Sequence, residues 1–448
     1  MLKKLENWAF YIFLFAIPIS VRHIFWYEPF NFVEWTAVYI YGTDLLLLVL
    51  FGFWFVNWKT DNLLKTGKWK LITKPADWFL LAFVVVAGLS IINAHDVQTA
   101  VFQWVKLIEG VALYFYIKDY ALKRFSLSKG FVALVLGGAF QAVIAIAQFM
   151  TQGGLGLKYL GESPLAPAMS GIAAFYVNGI KVMRAYGTTP HSNVLALYLF
   201  VALNTFYFLE IENCRKDLPK GEKLKIAQSD WWWHIFHILI LWAFLLTFSR
   251  TIIGLWLITF IIRSILIRFY PRFRKEFWDD KEMRRRSLKI FWTTIAVGVL
   301  FIAAYWPYVA NRSVISSADE AVQFRVLYNH ESIASGHNVF GLGMGNFVPW
   351  LMTQNLHLDR EVYQPVHNIY LLIYAEVGII GLALFLLFLT FLLHDFYKRL
   401  GFKKLYHFSF SLVIIAVLIM GLFDHYLWTI QAGRLIFWLV LGLLAGAE

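Results

Sequence analysis

Cysteine is almost absent. Cys214 stands alone among 448 residues, which excludes an intramolecular disulfide and any cysteine-based zinc or iron–sulfur site. Charge is scarce as well: 15% of the residues are Asp, Glu, Lys or Arg, against about a quarter in a soluble domain. What fills the chain is apolar, with 60% hydrophobic and 19% aromatic residues and a mean hydropathy of +0.61. That balance excludes disorder, collagen and an ordinary cytosolic enzyme, and describes a polytopic membrane protein. The first apolar run also lacks a small-residue cleavage site. Ala16-Ile17-Pro18-Ile19-Ser20 holds no A-x-A, so this run is expected to stay as a first span.

Apolar runs of spanning length fall near 7–26, 37–57, 77–94, 100–117, 131–150, 192–210, 231–249, 251–268, 289–308, 368–393, 405–423 and 426–446. Each is close to the roughly 20 residues a helix needs to cross a bilayer. The class expected from them is an all-α membrane protein of about twelve transmembrane helices. It forms a single polytopic domain, 1–448, with a large extracytoplasmic loop, 307–366, that contains short helices. Trp and Tyr crowd the ends of the runs (Trp58, Trp78, Trp231 to Trp233, Trp306, Tyr426, Trp428), as interfacial anchors do. No internal repeat marks a two-fold transporter.

The formal net charge is +12, from 40 Lys and Arg against 28 Asp and Glu. In a soluble protein such an excess would suggest nucleic acid, but here the distribution decides. With the N-terminus inside, Lys3 and Lys4 and the segments 58–76, 118–130, 211–230, 263–289 and 394–404 all lie in the cytoplasm. Together they hold 30 of the 40 basic residues. Cytoplasmic loops collect Lys and Arg, and a frame shifted by one span would invert the asymmetry. The expected location is the cytoplasmic (inner) membrane with both termini cytoplasmic. Arg284-Arg285-Arg286 then reads as an anchor on anionic lipid, and nucleic acid is excluded as a partner.

Two outer segments are long, 151–190 and 307–366, and long loops are where function collects. Within the second, 318–336 is amphipathic at helical spacing, with Ala321, Phe324, Leu327 and Tyr328 on one side. A helix along the membrane surface is expected there. Arg184, Arg250 and Arg325 sit in or beside the outer segments, against the positive-inside bias. One interfacial arginine would read as snorkelling to a headgroup; three beside turn-forming residues read as an anion site. Arginine holds phosphate oxygens in a planar fork and keeps its charge. The anion at hand on that face is the diphosphate of a lipid carrier.

Histidine supplies the complementary chemistry. His191, His330, His337, His357 and His367 lie in the long outer segments, and His95 and His425 in short turns. His330, His337 and His357 read as hydrogen-bonded structural residues. His367 precedes the tenth span in QPVHNIYLLIYAEVGIIGLALF, where a helix start would fix its imidazole at the membrane boundary. A neutral imidazole accepts a proton from a sugar hydroxyl near neutral pH, and neighbouring arginines would keep it neutral. His191 is carried as a substrate-binding candidate with Arg184. Lys106 and Glu109 can pair on one helix face, or Lys106 can serve as a further phosphate contact. Asp424-His425 reads equally as an orienting group or a turn cap. No metal is expected: no D-x-D lies on the outer side, and Asp279-Asp280 is cytoplasmic. No cytoplasmic loop is long enough for a nucleotide-sugar domain, so the donor must be lipid-borne and no cofactor is called for.

The outer motifs resemble the O-antigen ligase and polymerase superfamily of membrane glycosyltransferases. RAYGTTPHSNVLALYL (184–199), LLTFSRTIIGLW (245–256), QFRVLYNHESIASGHNVFGLGMGNF (323–347) and VHNIYLLIYAEVGIIGLALF (366–385) are similar to its motifs in order. The last is the most specific: a His-Asn pair, an acidic residue eight on, then Gly-Ile-Ile-Gly. The chain has His337-Asn338-Val339-Phe340 where the family often carries Pro. The resemblance covers most of residues 130–446. It implies transfer of a glycan from a polyprenyl diphosphate carrier to an acceptor hydroxyl (lipid, glycan or protein) at the outer face, without metal or nucleotide. By the same likeness Arg250 and Arg325 hold the diphosphate, Arg184 assists, and His367 activates the acceptor. Gly341, Gly343 and Gly345 either bring backbone N–H groups to a sugar or phosphate or form a structural turn.

The leading expectation is an O-antigen ligase-like transferase. A repeat-unit polymerase is the near alternative, since Arg325 to Gly336 fits an Arg-x10-Gly spacing once. Arg184 and Arg250 do not fit it, reaching Leu195 and Ile261. A protein O-oligosaccharyltransferase would share the donor site. A transporter of lipid-linked glycan would instead line a path through the bilayer, whereas polarity here concentrates on one face.

Overall fold

The computed structural model describes residues 2–27, 32–60, 72, 74–212, 230–314, 320–335, 339–354, 359–399 and 405–446. In chain order, α1 (Leu2–Ala16) leads into the antiparallel hairpin β1 (Arg22–Trp26) and β2 (Val38–Tyr41), followed by α2 (Gly42–Thr60), α3 (Pro75–Leu89) and α4 (Val97–Tyr116). Then come α5 (Leu122–Arg124), α6 (Leu127–Thr151), the hairpin β3 (Ala174–Val177) and β4 (Ile180–Met183), and α7 (Ser192–Glu212). α8 (Asp230–Leu246), α9 (Arg250–Phe269), α10 (Pro271–Phe273) and α11 (Lys281–Ser313) follow. α12 (Glu320–Ser335), α13 (Phe347–Thr353), α14 (Ile369–Arg399), α15 (Leu405–Met420), α16 (Tyr426–Thr429) and α17 (Gln431–Gly446) complete the chain.

The protein is an all-helical membrane type. Among the described residues seven helices are long and apolar enough to cross a bilayer: Pro75–Asn93, Val97–Arg124, Leu127–Thr151, Ser192–Ile211, Arg250–Phe269, Lys281–Ser313 and Ile369–Arg399. Shorter apolar helices, Gly42–Asn57, Trp233–Leu246, His407–Met420 and Gln431–Gly446, occupy four further expected spans. The first expected span, 7–26, is not one helix. α1 stops at Ala16 ahead of Pro18, whose ring disfavours helical backbone just before it, and 22–26 is strand. Two long helices are interrupted. α11 kinks at Tyr305 (φ −122°, ψ 27°), two residues before Pro307. α14 breaks at Gly378 (φ 80°, ψ −177°).

The chain divides into two compact units, each with its own packing. The first comprises Met1–Val21, Phe125–Val314 and Phe402–Ala416. Within it α6 packs against α1, α7 and α8. Gly137 makes the approach possible, because a Cβ there would stand 2.2 Å from the Tyr198 hydroxyl and 2.8 Å from the Phe15 carbonyl. Small residues serve membrane helices in this way, letting backbones close in.

The second unit comprises Arg22–Arg124, Ile315–Gly401 and Val417–Glu448. Here α3 packs on α14, α4 on α17, and α12 on α14. Its charges inside apolar surroundings are paired, as the cost of a bare ion requires. Lys118 Nζ reaches Asp77 Oδ2 at 2.7 Å, and the Tyr114 hydroxyl donates to Asp77 Oδ1 at 3.1 Å.

Candidate functional site

The sequence-predicted residues fall in both units. Arg325, His367, Lys106, Gly343 and Gly345 belong to the second, and Arg184, His191 and Arg250 to the first. In the second unit the His-Asn pair divides its labour. Asn368 caps α14: its Oδ1 accepts the amides of Tyr370 at 2.9 Å and Leu371 at 3.2 Å, two donors that a helix start leaves open. His367 is thereby held one residue outside a rigid helix.

Around the imidazole the chain gathers aromatic and charged groups. The Tyr328 ring of α12 stacks on it with centroids 5.8 Å apart and 8° between planes. Tyr328 is buried, and its hydroxyl donates to the Val362 carbonyl. On another side the His425 ring meets it edge-on at 4.9 Å. One ring nitrogen each of His367 and His425 and a carboxylate oxygen of Asp424 all lie within 4.8 Å of one another. Burial lowers the His367 pKa below its ordinary value; Asp424 pulls it upward, and Arg325, one helical turn before Tyr328, adds to the lowering. The balance favours the neutral ring, so its lone pair stays available near pH 7.

The glycine-rich turn has a structural task. Gly341, Gly343 and Gly345 all have positive φ (68°, 96° and 69°). The Leu342 and Gly343 amides donate to the carbonyls of Ala375 and Glu376, both at 2.9 Å. An unbroken helix would close those carbonyls with amides four residues on; the break at Gly378 removes them, and the turn supplies substitutes. The amides of Gly345 and Phe347 face the Glu376 carboxylate, as does the Trp428 indole. The backbone donors of Gly343 and Gly345, expected to reach substrate, are therefore engaged by α14. This is the structural alternative that the sequence left open.

Lys106 is also committed within the chain. Its ammonium lies 2.6 Å from Asp44 and 3.0 Å from Glu109, and Gln431 Nε2 bridges the same two carboxylates at 2.6 and 2.8 Å. The helical pairing with Glu109 holds, Asp44 joins it, and the side chain is 4% exposed. A phosphate would have to displace two carboxylates. Beside this network Arg434 donates to the Trp428 carbonyl and to Gln103 Oε1. A small pocket lies there, walled by Trp35, Glu376, Trp428 and Thr429 among others.

In the first unit Arg184 is buried just after β4. Its Nε donates to the Thr247 carbonyl and its Nη2 to Asn193 Oδ1 at 2.6 Å. It thus ties the 184–193 stretch to the Ser-Arg tip. Phe248 in that tip has φ 46°, a conformation that a bulky L-residue adopts only under constraint. Arg250 opens α9 and donates from Nη1 to the Val314 carbonyl at 3.0 Å. His191 Nδ1 accepts the Asn193 amide at 3.1 Å, a local turn contact at the start of α7.

Among the other histidines, His330 is exposed beside Glu331 at 3.2 Å, and His337 and His357 lie outside the described residues. Sequence reasoning missed Tyr328, which it read only as the apolar face of α12, and the cap at Asn368. An Asn directly before an apolar helical run was a signal for the cap; nothing in the sequence marked Tyr328 as a ring partner.

Residues 235–386 match the family model for O-antigen ligase. The match supports the O-antigen ligase and polymerase superfamily for this stretch. It takes in Arg250, Arg325, the glycine-rich turn, His367 and Glu376, whereas Arg184, His191, Lys106, Asp424 and His425 lie outside it. No curated protein matches the chain.

Proposed function

We propose that this protein is a glycosyltransferase that moves a glycan from a polyprenyl diphosphate carrier to an acceptor hydroxyl at the outer face of the cytoplasmic membrane. The observation that carries the reading is the His367 cluster, whose imidazole and Arg325 lie inside the family-matched stretch: burial and Arg325 favour the neutral ring, while Asp424 beside it favours the charged one. The acceptor hydroxyl gives its proton to His367 as its oxygen bonds to the anomeric carbon, and the bond from that carbon to the diphosphate oxygen breaks. Asp424 steadies the imidazolium that forms. The diphosphate leaves as an anion, and Arg325 meets its growing charge. Arg250 and Arg184 keep the phosphate roles that the family likeness gives them.

Twelve crossings, the first of them made by the short α1, with both termini inside and membrane lipid around the chain, complete the proposal. The polymerase alternative rests on the single Arg325–Gly336 spacing; the ligase reading is preferred because Arg184 and Arg250 lack it. Reconstitution with a polyprenyl-diphosphate glycan and lipid, glycan or protein acceptors tests the proposal. Arg325→Ala and His367→Ala are each expected to lower transfer about 100- to 1000-fold, the usual effect of removing one preorganised charge-stabilising contact. Both variants should still insert and purify normally. Full transfer by both would remove the site. Chelator should leave the activity intact, and a loss restored by added divalent ion would contradict the metal-independent route.

A further inference from the structure

We propose that His367, Asp424 and His425 form a binding site for a divalent transition ion, zinc above all, whose occupation blocks transfer by taking the imidazole lone pair. Two imidazoles and one carboxylate are a donor set that suits zinc and its neighbours rather than magnesium or calcium, which favour oxygen alone. Their ligating atoms already lie within 4.8 Å of one another. Around a tetrahedral ion with bonds of about 2.0–2.1 Å the ligands stand roughly 3.3 Å apart. Side-chain rotation of an ångström or two closes that difference.

The surroundings orient the donors. Thr429 Oγ1 donates to the His425 carbonyl at 3.1 Å, which turns its single proton away from the ring. Its oxygen, 2.6 Å from His425 Nδ1, then accepts the Nδ1 proton, leaving Nε2 as the lone-pair nitrogen. A ligating histidine fixed through its other nitrogen is the usual outer-shell arrangement. His367 brings a buried Nδ1 that meets no partner at full hydrogen-bond geometry among the described residues, with the Pro365 backbone acting on the ring. The backbone amide of His425 donates to Asp424 Oδ1 at 2.8 Å and holds that carboxylate beside the rings. Three protein ligands leave a coordination position for solvent. Arg325 is the opposing charge, since it acts on His367; removing it should tighten the site.

The blocking half of this inference rests on the role given to His367 above, and the binding half does not. The experiment titrates the purified full chain with Co2+, followed by visible absorption, and then displaces it with Zn2+. One saturable equivalent is expected, with bands lost in Asp424→Asn and in His425→Gln and retained under excess Mg2+. Arg325→Gln should bind several-fold tighter, as removal of a nearby like charge requires. Thermal unfolding without metal shows that each variant is folded, and Zn2+ should raise the wild-type midpoint. Absence of saturable Co2+ bands, or bands unchanged in both ligand variants, overturns the site. Zn2+ should also stop glycan transfer at the concentration where it binds, with recovery on chelation. Saturable binding that leaves transfer untouched would support the site and overturn the proton-accepting role of His367.

Discussion

Asn368 illustrates how much one side chain arranges. Its carboxamide closes two open amides of α14 and so fixes the residue before it. Replacing an N-cap Asn by Ala typically costs about 1 kcal/mol, and Asp serves the same position equally well. Asn368→Ala is therefore expected to lower the thermal midpoint modestly while reducing transfer more strongly, because His367 loses its fixed base. Asn368→Asp should recover the midpoint. Equal transfer by Asn368→Ala and wild type in the reconstituted assay would show that the imidazole is positioned by its ring neighbours alone, Tyr328 and His425.

At the scale of elements, the broken α14 and the glycine-rich turn are one device. The turn supplies amides to carbonyls that the break exposes, and bare carbonyls are costly inside a membrane protein. Gly378 makes it possible: its φ of 80° with ψ −177° is a region open almost only to glycine, and a Cβ would lie 2.1 Å from the Val339 carbonyl. Gly378→Ala should cost on the order of 1–3 kcal/mol from backbone strain alone, with further loss from the clash. Thermal unfolding reads the loss, and hydrogen exchange should speed up at the Leu342 and Gly343 amides. Gly254→Ala is the control, since a Cβ there meets nothing within 4 Å, and it should be tolerated. A full-stability Gly378→Ala protein would mean that the turn is not coupled to the break.

For the whole molecule the charge distribution makes the sharpest prediction. With 30 of 40 basic residues in the proposed inner segments, the proposed topology puts Cys214 on the cytoplasmic side and the 151–190 segment outside. A membrane-impermeant thiol reagent on intact cells should spare native Cys214. In a Cys214→Ser background it should label Ser170→Cys, at an exposed position between α6 and β3. Labelling of Cys214 before lysis would invert the topology and move the proposed chemistry to the wrong face.

The amino-acid order alone determined the membrane class, the family likeness and the positions of most long helices, because hydrophobic run length and charge asymmetry are properties of the chain itself. His367 could be proposed from the sequence through the family likeness and its place at the mouth of an apolar run. Tertiary structure decided what hydropathy cannot register. Pro18 ends α1 short of the expected span, and residues beyond it pair as strand instead. Asp44, far from Lys106 in sequence, became its second carboxylate partner, and Gln431 its bridge. The amides of Gly343 and Gly345 met α14 rather than open solvent. Tyr328 from α12, and Asp424 and His425 from the turn before α16, came to stand around His367. Each of these depends on which distant segments become neighbours, and a polar partner across the fold leaves no periodicity in the sequence to announce it.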